Sequence, residues 1–100
     1  MTYTRLNPGV YLETIKTTYN RAIASKAGED FAVDISSLKA AYDQVTISGS
    51  IEINALGYKN FSFITSWIEG SYAYFTFRNE ANSSITMNFI RVTFICYGKK

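Results

Sequence analysis

The chain has 100 residues, a length that supports one hydrophobic core and leaves no room for a second. Hydrophobic residues make up 47% of the chain and charged residues 18%, a composition that excludes an intrinsically disordered protein. The formal net charge is only +2, and the ten basic residues form no stripe along the sequence. We therefore predict that nucleic acid is not a partner.

The sequence lacks residues that most catalytic and metal-binding sites require. It contains no histidine, the commonest general base and the commonest metal ligand. Its single cysteine, Cys96, shares the alternation of Val92 and Phe94, a position typical of a small core residue. The eight acidic residues have no spacing that singles out a catalytic pair. We predict a protein that is not an enzyme and that has no catalytic residues, no metal site and no cofactor.

The first part of the chain predicts little regular structure. Asn7-Pro8-Gly9 favours a turn, and residues 10–19 are rich in β-forming residues with imperfect alternation. Residues 20–30 are small and charged, which predicts a loop or a brief helical turn. We expect residues 1–30 to be an N-terminal extension with one strand, and residues 31–100 to be a β-sandwich domain.

The next segments alternate more clearly. Residues 31–35 predict a short strand, and residues 36–43 predict a helical turn that Ser36 and Ser37 could cap. Residues 45–53 then alternate strictly, with Gly49 at an inward position that is typical of a bulge or a bend.

Three further strands complete the expected fold. Residues 60–68 place Phe61, Phe63 and Trp67 on one predicted face. A short loop leads to a strand over residues 72–78, which has Tyr72 and Tyr74 on one face and Phe75 and Phe77 on the other. Short connections of this kind favour an antiparallel meander folded as a small all-β antiparallel sandwich or a small barrel, with one short helical turn.

The last strand, over residues 83–97, changes phase along its length. Apolar residues are at odd positions up to Phe89 and at even positions from Ile90. Either the strand has a β-bulge near Ile90, or it is regular and buried on both faces, one of them against another subunit. We expect a subunit contact. The predicted interface residues are Ile85, Met87, Phe89, Arg91, Ile95 and Tyr97.

A group of aromatic residues supplies the predicted binding site. Flat rings with a polar edge stack on sugars and are frequent at protein interfaces, although aromatics on paired strands also pack in cores and between subunits. The predicted ligand-binding residues are Tyr58, Trp67, Tyr72, Tyr74 and Arg78.

Three stretches of residues 31–100 form a pattern together. They are Phe31-Ala32-Val33-Asp34-Ile35-Ser36-Ser37-Leu38, then Val45-Thr46-Ile47-Ser48-Gly49-Ser50-Ile51, and Gly57-Tyr58-Lys59-Asn60-Phe61-Ser62-Phe63-Ile64 leading to a last strand that ends in Val92-Thr93-Phe94-Ile95-Cys96-Tyr97. In this pattern the chain resembles the distal domain of phage tail fibres and related receptor-binding proteins. The resemblance implies a small β-sandwich at a fibre tip, usually a homotrimer, that binds a host-surface glycan or protein without enzymatic activity.

The expected function follows from that resemblance. We predict a phage virion module, located in the tail and made in the host cytoplasm, that contributes to receptor binding and oligomeric assembly. The sequence has neither a secretory signal pattern nor an apolar run long enough for a membrane helix, so we predict no membrane insertion. The alternative is a small phage-encoded or bacterial inhibitor that docks on one host protein, for which the many aromatic residues are suited.

Overall fold

A computed structural model of the chain describes residues 2–7 and 9–100, and it describes side chains from Gly9 onward except that of Tyr58. The fold is an all-β sandwich with one short helix, as the sequence predicts. Its elements are β1 (Thr2–Asn7), β2 (Val10–Ile23), β3 (Gly28–Asp34), α1 (Ser36–Ala41), β4 (Tyr42–Ala55), a 3-10 turn (Tyr58–Asn60), β5 (Phe61–Glu69), β6 (Tyr72–Asn79) and β7 (Ile85–Lys99).

Two antiparallel sheets form the layers of the sandwich. The long sheet has four strands in the order β1-β2-β7-β4, and the short sheet has three in the order β3-β6-β5. Only β1 with β2 and β5 with β6 pair as neighbours in sequence, because every other connection passes from one sheet to the other. The expected meander of consecutive paired strands is therefore wrong, although the predicted hairpin between β5 and β6 is present.

The N-terminal third of the chain is part of the sandwich. β2 pairs with β7 from Val10 opposite Tyr97 to Ile23 opposite Ile85. The expected domain boundary at residue 30 falls inside β3, whose first residues pair with the end of β6. Residues 28–30, predicted as loop, are thus in a strand because a partner strand overrides their weak local preference. The expectation of a single strand within the first thirty residues is wrong, because β1 precedes the predicted strand β2 and pairs with it.

The phase change of β7 comes from a β-bulge. Opposite β4, Phe89 pairs with Asn54 and Met87 pairs with Ala55, so Asn88 is an extra residue in the ladder. Opposite β2 the register shifts at the same level, where Asn20 has a positive φ of 50°. An extra residue reverses which side chains point inward. The bulge alternative is therefore correct, with the extra residue two positions before Ile90.

This reversal corrects part of the predicted subunit interface. Ile85 and Met87 lie in the core of the single chain, and Met87 is completely buried. Ile90 is also completely buried, so both halves of β7 direct apolar side chains to the same core. Phe89 and Arg91 lie on the opposite face and are partly exposed. The regular strand with two buried faces is wrong.

A second bulge confirms the expectation for Gly49. Ile47 pairs with Phe94 and Ile51 with Val92, so three residues of β4 lie opposite one residue of β7. Gly49 has φ +92°, a conformation that residues with a Cβ rarely adopt. The glycine allows β4 to bulge and still return its isoleucines to the inner face.

A buried asparagine ties strand ends of the two sheets together. Asn79 is completely buried, and its Nδ2 donates to the carbonyls of Ile23 at 3.0 Å and Ser83 at 2.9 Å. Its Oδ1 accepts a hydrogen bond from the backbone amide of Ala81. The backbone amide of Asn79 donates to the carbonyl of Ala27. All polar groups of this side chain are thus paired, as burial requires.

The reversal of β7 can be tested by truncating one side chain on each side of it. We expect Met87→Ala to lower the free energy of unfolding by about 2–5 kcal/mol, because a fully buried side chain leaves a cavity. Phe89→Ala, two residues on, should cost less than half as much because its ring is partly exposed. Urea denaturation monitored by circular dichroism measures both; equal losses would contradict the reversal.

Candidate functional site

The outer surface of the short sheet carries a group of aromatic rings, named here the aromatic face and formed by Trp67, Tyr72 and Tyr74. The rings of Trp67 and Tyr74 are stacked, with centroids 5.1 Å apart and planes at 16°. The ring of Tyr72 lies 6.2 Å from that of Tyr74 at 42°. Trp67 is 37% exposed and Tyr72 is 43% exposed. The three residues thus present a continuous aromatic surface to solvent.

Two features of the sequence direct these rings outward. β6 alternates strictly, with Tyr72 and Tyr74 outside and Phe75 inside, as predicted. In β5 the register shifts because Phe63 pairs with Phe77 and Thr65 pairs with Thr76, which leaves Ile64 as an extra residue. This bulge turns Trp67 away from the core and opposite Tyr74.

The expectation that Trp67 shares a face with Phe61 and Phe63 is therefore wrong. Phe63 lies opposite the inward Phe77, and their ring centroids are 5.6 Å apart. Trp67, beyond the bulge, belongs to the other face. The aromatic face depends on this single extra residue.

Polar side chains border the aromatic face on both sides along the strands. Asp34 and Glu69 are the residues directly opposite Tyr72 on the two neighbouring strands. On the other side of Tyr74, Thr76 donates from Oγ1 to Oδ1 of Asp30 at 2.6 Å. Hydrogen bonds to the carboxylate, chiefly from the amide of Ser36, hold the pKa of Asp34 below its usual value. The rings thus lie between hydroxyl and carboxylate groups.

Asp34 also corrects the predicted helix cap. The amide of Ser36 donates to Oδ1 of Asp34 at 2.9 Å, and Ile35 occupies the N-cap position of α1 without a side-chain cap bond. Ser36 and Ser37 lie inside the first turn of the helix. The helix itself lies within the predicted 36–43 segment.

Arg78 shares the outer surface with the rings but is engaged elsewhere. Its Nε lies 2.8 Å from Oε1 of Glu80, and Ser62 donates to Oε2 of the same carboxylate. The hydrogen bond from Arg78, followed by the one from Ser62, lowers the pKa of Glu80. Of the five predicted ligand-binding residues, the structure brings together Trp67, Tyr72 and Tyr74. It places Arg78 four residues along β6 from Tyr74, and the side chain of Tyr58 lies outside the described residues.

The remaining predicted interface residues share the outer surface of the long sheet. Phe89, Arg91, Ile95 and Tyr97 are partly exposed there. Nη1 of Arg91 lies 2.6 Å from Oε1 of Glu52. This leaves a mixed apolar and charged surface, in which the polar positions Arg91 and Thr93 separate Phe89 from Ile95 and Tyr97.

An apolar cleft between the edges of the two sheets was not anticipated from the sequence. It has a volume of about 340 Å³ and opens between β4 and β5. Phe63 and Ile64 on the adjoining edge strand are 49% and 55% exposed. The alternating isoleucines of β4 predict an apolar surface on one side of that strand. Whether another strand covers this surface depends on the strand order, which the sequence does not give. The cleft is lined by Ile47, Gly49, Ile51, Ile53, Phe61, Phe63, Ser66 and Phe77.

A buried carboxyl group at the end of the sandwich was also missed. Glu13 is 4% exposed, its Oε2 accepts from the hydroxyl of Tyr42 at 2.8 Å, and its Oε1 is without a hydrogen-bond partner. Burial, followed by the bond to Glu13, raises the pKa of Tyr42. Burial and then the charge of Glu13 raise the pKa of Cys96 to about 11. Glu13 lies between Tyr11 and Ile15 in the two-residue alternation of β2. This position was the feature of the sequence that could have predicted its burial.

The described part of the chain contains neither a cluster of metal-binding side chains nor a helix that could span a membrane. No cluster of three or more cysteine and carboxylate side chains suited to hold a metal ion lies within residues 2–7 and 9–100. None of the helices in these ranges combines the length and apolarity needed to cross a bilayer.

The raised pKa of Cys96 predicts a loss of stability in alkaline solution. Because the folded pKa of about 11 exceeds the ordinary value of 9.0, this contribution is complete below pH 9 and is lost as the pH rises through 11. We expect about 1 kcal/mol of the fall in unfolding free energy between pH 8 and pH 10 to come from Cys96. Chemical denaturation of wild type and Cys96→Ala at both pH values measures it; parallel falls in the two proteins would contradict the assignment.

Comparisons of the chain with family models, curated proteins and solved structures found no match. The resemblance to tail-fibre tip domains therefore rests on the three sequence stretches given above. The geometry of the aromatic face, the long-sheet surface and the cleft is the structural basis on which a function can be proposed.

Proposed function

We propose that the protein is a non-enzymatic adhesion module of a phage virion that binds a saccharide at the host surface through its aromatic face. The observation that carries the proposal is the stacked pair of Trp67 and Tyr74 on the outside of the short sheet, where it supports no core packing. The all-β sandwich is also the fold that the resemblance to tail-fibre tips implies. Tail location is proposed on that resemblance alone.

The aromatic face offers the two kinds of contact that a sugar ring uses. The C–H face of a pyranose packs on an exposed indole or phenol ring, which removes apolar surface from water. Hydroxyl groups at the sugar edge can donate to the carboxylates of Asp34 and Glu69 or exchange hydrogen bonds with the hydroxyl of Thr65. All of these side chains project from strands of one sheet, which keeps their spacing rigid.

We further propose that the module assembles as a homotrimer through the outer surface of the long sheet. Phe89, Ile95 and Tyr97 supply partly exposed apolar area there, and Arg91 with Glu52 supplies a charged pair. This surface is on the opposite layer from the aromatic face, so assembly leaves the binding rings accessible. Three sites on one particle would strengthen attachment to a surface that carries many copies of a weakly bound sugar.

A second candidate function is the inhibitor that docks on one host protein. The observation that favours it is the apolar cleft beside the edge strand β5, with Phe63 and Ile64 exposed. An edge strand has unpaired backbone groups that can pair with an extended segment of another protein. In this case the binding residues would be those of the cleft and not those of the aromatic face.

Two variants of β5 separate the candidates. We expect Trp67→Ala to weaken binding of oligosaccharides at least about tenfold, since the ring supplies the principal stacking surface. Phe63→Ala, which removes an exposed aromatic ring of the cleft, should leave that affinity unchanged. Glycan-array screening followed by titration calorimetry measures both, with thermal denaturation as a check of folding.

The outcomes of this pair are distinct. If neither variant nor wild type binds any oligosaccharide in the screen, the saccharide proposal is wrong. Stoichiometric retention of one host protein by wild type and Trp67→Ala, but not by Phe63→Ala, would support the inhibitor function instead.

The oligomer can be tested independently of any ligand. We expect wild type to have the mass of a trimer at micromolar concentration, and Ile95→Lys to have the mass of a monomer, because a buried unpaired charge opposes association. Sedimentation equilibrium gives both masses, and Thr65→Lys on the short sheet is the control that should stay trimeric. A monomeric wild type would contradict the proposed assembly.

A further inference from the structure

We infer that the aromatic face selects saccharides that carry no acidic group and discriminates against uronic and other anionic sugars. This inference rests on the proposed saccharide-binding function and adds the chemical class of the ligand. It depends on the distribution of charge around the three rings.

Carboxylates flank the rings at both ends of the aromatic face. Asp34 and Glu69 lie directly opposite Tyr72 on the two neighbouring strands, so a ligand stacked on Tyr72 passes between them. Asp30 lies opposite Thr76, on the far side of Tyr74. All three residues belong to outward positions of the short sheet, and Asp34, Glu69 and Asp30 are each exposed.

Among the described residues, no cation forms an ion pair with these three carboxylates. Within the described residues, ion pairs of 4.0 Å or less join Arg78 with Glu80 and Arg91 with Glu52. Asp34 is instead bonded to a backbone amide and Asp30 to the hydroxyl of Thr76, neither of which carries charge.

Three cationic side chains of the described residues lie beside the short sheet and bond to groups other than these carboxylates. Arg78 is held by Glu80, and Lys26 donates from Nζ to the carbonyl of Glu80. Arg21 donates to the carbonyl of Asp30 at 2.7 Å and packs 4.3 Å from the ring centroid of Phe31, which faces the core. A ligand on the rings therefore meets the carboxylates of Asp34 and Glu69, and none of the described cations forms an ion pair with either.

One of these carboxylates, that of Asp34, is held in its charged form by a hydrogen bond. The hydrogen bond from the amide of Ser36 holds the pKa of Asp34 below its usual value, so this carboxylate stays ionised in mildly acidic solution. Ionised carboxylates accept hydrogen bonds from sugar hydroxyls and repel the carboxylate of a uronic acid. Both effects favour the neutral sugar.

The probes for the test are matched pairs of tetrasaccharides. Linear β-1,4 and α-1,4 glucose tetrasaccharides are compared with their counterparts oxidised at C6 to glucuronate, which differ only in the acidic groups. We expect each neutral member to bind about fivefold or more tightly than its acidic counterpart in 50 mM salt, a ratio set by exposed carboxylates a few ångströms from the ligand. In 500 mM salt the ratio should approach one, because salt screens exposed charges.

Variants that neutralise carboxylates identify the residues responsible for the selectivity. The double variant Asp34→Asn, Glu69→Gln should reduce the ratio at low salt to below about twofold, and the asparagine still offers an oxygen to the amide of Ser36. The control, Asp43→Asn, removes a charge from β4 of the long sheet, outside the aromatic face and the proposed trimer contact, and should keep the wild-type ratio. Calorimetric titration of all three proteins gives the ratios.

The outcomes distinguish this inference from the proposal beneath it. Equal binding of neutral and acidic members, tighter binding of the acidic members, or a ratio that the double variant does not change would overturn the selectivity while leaving saccharide binding intact. If no member of either pair binds and the array screen is also empty, the proposed function fails and this inference fails with it.

Discussion

The structure depends on β7, because it is the strand that hydrogen-bonds along its length to two long neighbours and also supplies the centre of the core. Its side chains Met87 and Ile90 both point inward although they are three residues apart, which a regular strand does not permit. The bulge at Asn88 resolves this conflict by adding one residue to the ladder opposite β4. Without that residue, one half of β7 would present its apolar side chains to solvent.

The same device acts in β4 and in β5, with different results. At Gly49 the extra residues let β4 continue beside β7 with its isoleucines still on the inner face, next to the open cleft. At Ile64 the extra residue moves Trp67 from the core side to the outside, where it stacks on Tyr74. Bulges commonly re-aim side chains near sites of function, and the aromatic face follows that pattern.

Local sequence predicted those features that depend on alternation within one strand. The strict pattern of residues 45–53 identified β4 and its glycine bulge, and the change of parity at Phe89 identified the reversal in β7. Alternation in β6 also placed Tyr72 and Tyr74 on one face.

Features set by partner strands were not readable in this way. Residues 28–30 form strand only because β6 lies beside them, and Trp67 turns outward only because of a register shift against Phe77 and Thr76. The open cleft depends on β4 and β5 both being edge strands, which is a property of strand order. Burial of Glu13 likewise depends on Tyr42, which is 29 residues away in sequence.

The position of β7 in the long sheet has a consequence for how the chain reaches this structure. β2 and β4 do not pair with each other, and each needs β7, which follows them in the sequence. The hydroxyls of Thr14 and Thr93, for example, are 3.1 Å apart across 79 positions. Contacts of such separation require closure of long loops before any pairing energy is gained, so folding is expected to be slow for a chain of this size. Until β7 docks, two long strands rich in isoleucine and threonine have unpaired edges, and this interval is when the chain is most exposed to association with other unfolded copies.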